Sequence, residues 1–222
     1  MHRGLDAVLP LVGEDDQVWL RRAAMSDQSE WQREFGQVKD PTALVSEANL
    51  FRYRPRTVIV RAAEGASLTD ILRVGLAASR SGSEVILSPA EELPEQVGRL
   101  FTTVLSPASD VDFAHALGAG SLGAFAELSD REILNDTALN VDHGARVRVI
   151  QPWDGTDDDL KPLYEVRAEH PDIALITDDV VGTGRIELMY MLSEQAVSIT
   201  MHRFGNHSPS MDRVVTEIRA NK

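Results

Sequence analysis

RIELMYMLSEQAVSITMHRFGNHSP, residues 185–209, is the stretch whose reading decides how the end of this chain is built. Ile186, Leu188, Tyr190 and Leu192 alternate with Glu187, Met189 and Met191, and a second alternation follows at Val197, Ile199 and Met201. A period of two puts one set of side chains on one face of a strand. Ser193, Glu194 and Gln195 separate the runs, and so short a connection joins antiparallel neighbours instead of parallel strands that need a crossover. The pattern predicts a β-hairpin followed by a polar tail over 203–209.

Upstream, the punctuation is that of alternating strands and helices. Residues 57–60 read as a strand, and Glu64, Gly65 and Ala66 as a turn. Ser67 then caps a helix whose apolar face is Leu68, Ile71, Leu72, Gly75, Leu76 and Ser79, and Gly82 stops it before a second strand at 84–87. That is a βαβ unit, whose strands are expected side by side and parallel. A helix over 91–103 follows Pro89, and Ser129-Asp130-Arg131-Glu132 is a capping box that opens another. Residues 146–150 and 173–176 supply two further strands around a helix at 160–169. The order predicts an α/β fold, Rossmann-like and doubly wound, with a mainly parallel sheet. Ahead of it, Trp19, Leu20, Ala23, Ala24, Trp31 and Phe35 recur at helical spacing. They predict two short helices, with Ser26 as the cap between them and Gly36 as the stop. Three units follow: a helical connector over 1–45, the Rossmann-like domain over 46–180, and a hairpin flap with its tail over 181–222.

Composition narrows the function classes. The 222 residues are 43% hydrophobic, enough for a substantial core, and carry a formal net charge of −13 that repels a phosphate backbone. No nucleic-acid partner is expected. With no run of 18 apolar residues and no secretory leader pattern, no membrane span is expected and the cytoplasm is the expected location. Cys is absent, which excludes disulfides, thiolate metal sites and a cysteine nucleophile; the 6 His form no H-x-x-x-H pair, and no metal site is expected.

Gly118, Gly120 and Gly123 spell G-x-G-x-x-G, with Asp142 downstream as a mimic of a ribose-binding acid. The context does not suit a dinucleotide site, because 111–117 includes Asp112 and His115 where a strand should feed the glycines, and the capping box comes too late. These glycines are only weak cofactor candidates. The acidic run 154–159 lacks the glycine of a calcium loop at its sixth place, where Asp159 stands, and its carboxylates suit the first turn of a helix. Arg52, Arg54, Arg56 and Arg61 form a small basic cluster whose default role in an acidic chain is intramolecular pairing. G-x-S-x-G is absent, and no catalytic residue is nominated.

EANLFRYRP at 47–55 and GRIELMYMLSEQAVSITMHRFGN at 184–206 resemble the C-terminal region of the bifunctional proline-utilisation (PutA-like) flavoenzymes, especially the longer actinobacterial kind. WQREFGQVKDP at 31–41 is similar to their linker. Those enzymes join an FAD-dependent proline dehydrogenase to an NAD-dependent pyrroline-5-carboxylate (glutamate semialdehyde) dehydrogenase. The resemblance implies a C-terminal module with an aldehyde-dehydrogenase-like Rossmann fold and a projecting flap, which covers the tunnel between the active sites and supports assembly. The missing Cys agrees, since an aldehyde dehydrogenase needs a thiol nucleophile. No cofactor is then expected in this chain, FAD and NAD belonging to the parent enzyme. The implied partner is the aldehyde dehydrogenase domain of the same parent or a second subunit, with a homo-oligomer also open. Ile186, Leu188, Tyr190, Val197 and Ile199, finished by His202, Arg203, Phe204 and Asn206, are the expected interface. Two other readings remain: an NAD-binding Rossmann domain of a dehydrogenase, and a stand-alone oligomerisation domain.

Overall fold

The structure is a computed structural model and describes residues 4–101, 105, 146–152, 160–169, 171, 173–203 and 206–220. In chain order the elements are α1 (Leu5–Val8), α2 (Glu14–Glu30), β1 (Glu47–Pro55), β2 (Val58–Ala62), α3 (Leu68–Ser81), β3 (Val85–Pro89) and α4 (Glu95–Leu100). Then come β4 (Arg146–Ile150), α5 (Lys161–Glu169), β5 (Ala174–Ile176), α6 (Gly184–Met191), β6 (Leu192–Thr200), β7 (His202–Arg203), β8 (Asn206–His207) and α7 (Pro209–Ala220).

Strands β2 to β5 form a parallel sheet in the order β3-β2-β4-β5, the Rossmann-like doubly wound arrangement expected from the alternation of strands and helices. Successive residues of β2 serve opposite faces, as a strand period of two requires. Val58, Val60 and Ala62 join the larger core with Leu72, Leu76 and Leu87, whereas Ile59 joins Val147, Val149, Leu160 and Leu163 on the other side. Helix α3 is set by its sequence. Ser67 Oγ accepts from the Asp70 N–H at its start, and Gly82, at φ +73°, ends it in the left-handed region that suits glycine. Gly75 lets Phe101 and Leu105 lie against the helix, for a Cβ there would stand 2.8 Å from both side chains.

Four expectations about elements are corrected. Residues 184–191 form helix α6 and not the first strand of a hairpin. Gly184, Glu187, Leu188 and Met191 turn inward at a spacing of three and four, so the charged Glu187 occupies a core position that alternation had assigned to the outside. The strand that follows, β6, pairs antiparallel with β1, which the sequence reading did not assign as a strand, from Glu47↔Thr200 to Pro55↔Leu192. The antiparallel hairpin of the C-terminal region is small, β7 against β8. Second, α2 runs unbroken through Ser26 and continues as a π-helical turn over Trp31–Phe35 up to Gly36. Ser26 caps no helix break; its hydroxyl accepts from the Gly184 N–H at the start of α6, 2.9 Å away. Third, Pro209–Ala220 beyond the expected tail is an amphipathic helix, whose Val215 is buried with Ala48, Leu50 and Met201 against the β1-β6 ribbon. The helix expected over 91–103 starts later, after Pro94.

Candidate functional site

Two guanidinium–carboxylate pairs lie in the seam where α2, α3, α6 and β4 meet. Arg73 of α3 donates through Nη1 to Asp27 Oδ2 at 2.9 Å and through Nη2 to Oδ1 at 2.8 Å, and through Nε to the Val181 carbonyl at 3.0 Å. Arg148 of β4 donates to Glu187 Oε1 of α6 at 3.1 Å and to the carbonyls of Val149, Asp178 and Asp179. Both pairs are fully excluded from solvent, at 0% exposure of all four side chains. Burial pushes the Asp27 carboxyl up and outweighs the pull of Arg73 in the other direction. Glu187 Oε1 also accepts from the Val181 N–H, while Glu187 Oε2 and Arg148 Nε are buried with no hydrogen-bond partner among the described residues. The aromatic ring of Tyr190 lies 5.1 Å from the Arg148 guanidinium and its hydroxyl donates to Asp178 Oδ2. The seam therefore ties the two ends of the 178–187 segment to the sheet and to α2.

Next to it is the place where an open α/β sheet ordinarily receives a ligand. The strand order changes direction between β2 and β4, and the crevice outside their carboxyl ends is the topological switch point. There the Ala63 N–H donates to the Ile150 carbonyl, and Gly65, at φ +73°, turns the chain into α3. A dinucleotide would set its pyrophosphate on the first turn of that helix. Asp70 already occupies it. Burial, then the nearby charge of Glu187, with Asp16 and Asp179 adding to it and Arg148 opposing, pushes the Asp70 carboxyl up to about 6. The charges of Glu187, Asp16 and Asp179 would oppose an anionic pyrophosphate at this turn, and that of Arg148 would favour it. Among the described residues no group of three His, Asp or Glu is placed to hold a metal ion, and no helix is long and apolar enough to cross a membrane.

Asp70 gives a pH-dependent prediction. Below the unfolded value of about 3.8 the folded and unfolded chains are both neutral at this residue; above about 6 the folded chain must hold a charge its surroundings disfavour. Stability contributed here is lost as pH rises from about 4 to 6. The full shift corresponds to about 3 kcal/mol, reduced to on the order of 1–2 kcal/mol by solvent screening at this partly exposed position. Asp70→Asn is expected to raise the urea midpoint at pH 7 and leave it nearly unchanged at pH 4; an equal shift at both pH values would assign the effect to packing.

The ribbon is the second candidate. On the face toward α7, Val197 and Ile199 are half-buried beside Ala48 and Leu50. Phe51 and Tyr53 meet edge to face with ring centroids 5.4 Å apart, and Tyr53 meets Phe35 at 4.8 Å. Arg52 Nε donates to Gln195 Oε1 across the strands, and its Nη1 to the Ile218 carbonyl of α7. The sequence-nominated interface is thereby divided between elements. Ile186 is exposed on α6, Leu188 is enclosed in the core, Tyr190 is half-buried over Arg148, and Val197 and Ile199 are on β6. His202 and Asn206 are exposed on the small hairpin with Arg203 in its first strand; Phe204 lies outside the described residues, as do Gly118, Gly120, Gly123 and the capping box at 129–132. The basic cluster is dispersed: Arg61 is buried and donates to Ser88 Oγ, Arg54 is exposed, and Arg56 approaches Arg146, which donates to the Met189 and Tyr190 carbonyls at the end of α6.

The sequence reading missed Asp27, Arg73, Arg148 and Glu187. One signal was present. Arg148 sits between Val147 and Val149 in a strand and Arg73 between Leu72 and Val74 in an apolar helix, and a charge so enclosed needs a buried partner.

No known family profile and no curated protein matches the chain. Among solved structures it is similar to Proline Utilization A (PutA) from Corynebacterium freiburgense, with a TM-score of 0.52 and 26% identity over 85% of this chain and 14% of that one. A proline utilization A structure with proline bound in remote sites matches at a TM-score of 0.46 and 19% identity, over 79% of this chain and 17% of that one. An NAD-dependent benzaldehyde dehydrogenase from Corynebacterium glutamicum matches at 0.42 and 12%, over 73% and 32% respectively. The chain is thus distantly similar to a PutA structure and spans 14% of that chain's length.

Proposed function

We propose that this chain acts as a non-catalytic module of a proline-oxidising enzyme of the PutA kind, covering the passage between that enzyme's active sites and supporting its assembly. The similarity over 85% of this chain to 14% of a PutA chain is the observation that carries this reading. Two features of the residues support it. The chain has no Cys to form the thiohemiacetal of aldehyde oxidation, and the first turn of α3 presents the Asp70 carboxylate where a dinucleotide needs donors and positive potential. In this reading the ribbon and the outward face of α6, with Ile186 and Met189, are what meet an aldehyde dehydrogenase domain or another subunit.

The test is a coupled assay. Proline dehydrogenase and glutamate semialdehyde dehydrogenase activities are mixed with or without this chain, and NADH is followed from the addition of proline. A shorter lag with the chain present is expected, with no turnover of glutamate semialdehyde by the chain alone. An unchanged lag, or turnover by the chain alone, would overturn the proposal. Titration calorimetry with NAD and NADH separates the alternative of an NAD-binding domain: no heat of binding is expected, and a saturable signal would favour that alternative.

A further inference from the structure

Helix α2 keeps one face in the core and turns the opposite one to solvent. Leu20, Ala23, Ala24 and Asp27 are buried. On the other side lie Glu14, Asp15, Val18, Arg21, Arg22 and Met25, all exposed, with Val18 at 48% and Met25 at 72%. At about 3.6 residues per turn all six fall within roughly 60° of Val18 around the helix axis, so they share one continuous face.

That face is divided by charge, with acids in the first turn and arginines two turns on. The side chains of Glu14, Asp15, Arg21 and Arg22 make no hydrogen bond or ion pair among the described residues. Their spacing explains it. Glu14 and Arg21 are seven residues apart, as are Asp15 and Arg22, so about 10 Å of helix rise separates the members of each couple. Ion pairs along a helix form at spacings of three and four.

We propose that this face pairs with itself, α2 of a second copy lying antiparallel across it about a twofold axis at Val18. The charges require the reversal of direction. A parallel neighbour in register would set Glu14 on Glu14 and Arg22 on Arg22. An antiparallel one, with positions counted outward from Val18, brings Arg21 beside the partner's Glu14 and Arg22 beside the partner's Asp15, and the twofold repeats both pairs on the other side of the axis. Val18 meets its own copy at the centre, and Met25 extends over the start of the partner's helix. Exposed ion pairs are individually weak and one helix face is smaller than a standard interface, so the dimer is a weak one that forms at roughly 0.1 mM. What the four charges add is register, since a shift along the helix sets like charges together. The ribbon and the outward face of α6 take no part, so this self-pairing is independent of the docking role assigned to them above.

Charge reversal tests the pairing. In sedimentation equilibrium the full chain is expected to rise from 24.4 kDa toward twice that mass at roughly 0.1 mM in about 0.1 M salt, and to fall back in about 1 M salt, where exposed charges are screened. Arg21→Glu with Arg22→Glu makes the face wholly acidic, and Glu14→Arg with Asp15→Arg makes it wholly basic. Each double variant alone, shown to be folded by circular dichroism, is expected to dimerise at least about tenfold more weakly. Mixed one to one they are expected to form a heterodimer, because every acid again meets an arginine. The absence of Cys allows a second reading. Val18→Cys places one thiol of each copy at the axis, within disulfide reach, and oxidation is expected to link the copies. Ser29→Cys, on the same face but about 16 Å along the helix from the axis, is expected not to link. A mass of 24.4 kDa at every concentration would overturn the proposal, as would a dimer that the charge reversals leave intact, a mixture that stays monomeric, or equal cross-linking of the two cysteine variants.

Discussion

Asp27→Ala is expected to lower the unfolding free energy of the chain by about 3–5 kcal/mol, the cost of leaving a buried charge without its partner. Arg73 has 0% exposure, cannot shed its proton, and directs both terminal nitrogens at the Asp27 carboxylate. Removing the carboxylate takes away both of these bonds and leaves the guanidinium its bond to the Val181 carbonyl. Urea unfolding at pH 7 measures the effect. Replacing both members, Asp27→Leu with Arg73→Met, is expected to recover more than half of the loss, because hydrophobic side chains of similar volume avoid the desolvation cost. A double variant as unstable as Asp27→Ala would mean that the Val181 bond, and not the ion pair, holds the seam.

Gly184→Ala carries the second large effect, about 1–3 kcal/mol by overpacking. A Cβ on Gly184 would stand 2.6 Å from the Asp27 nitrogen and 2.7 Å from its Cα and from the Ser26 carbonyl carbon. All three are backbone atoms of α2, so no side chain can swing aside and the two helices must separate. Gly182→Ala is the control: its Cβ meets the Trp19 side chain at 3.3 Å, a contact that gives more easily, and it should cost less. Moving α2 also pulls Asp27 from Arg73. Gly184→Ala and Asp27→Ala are therefore expected to be less than additive in thermal or urea unfolding, and strict additivity would show that helix contact and ion pair act independently.

How far the sequence could be read followed from how local each interaction is. Helix α3 was legible from Ser67 to Gly82 because its cap, its apolar stripe and its left-handed stop are all contacts within a few residues of one another. The parallel strands were legible because short apolar runs between helices have one common solution. The end of the chain was not. Residues 184–191 fit both periods, and the presence of Leu, Met and Glu, good helix formers, was the clue that alternation overrode. Strand β1 was invisible because its partner lies far along the chain: Phe51 meets Ala196, and nothing near either residue announces the other.

By itself the sequence determined the doubly wound α/β class, the βαβ unit with its capped helix, and the absence of thiol chemistry, since each rests on local periodicity, turn residues or composition. Only the tertiary structure decided that Glu187 turns inward to Arg148, that Asp27 pairs with Arg73, and that β6 pairs with β1. Those outcomes depend on where distant segments meet. A buried charge is stable only beside its counter-charge, and a strand is paired only where a distant segment arrives beside it, so neither can be read from the residues adjacent in the chain.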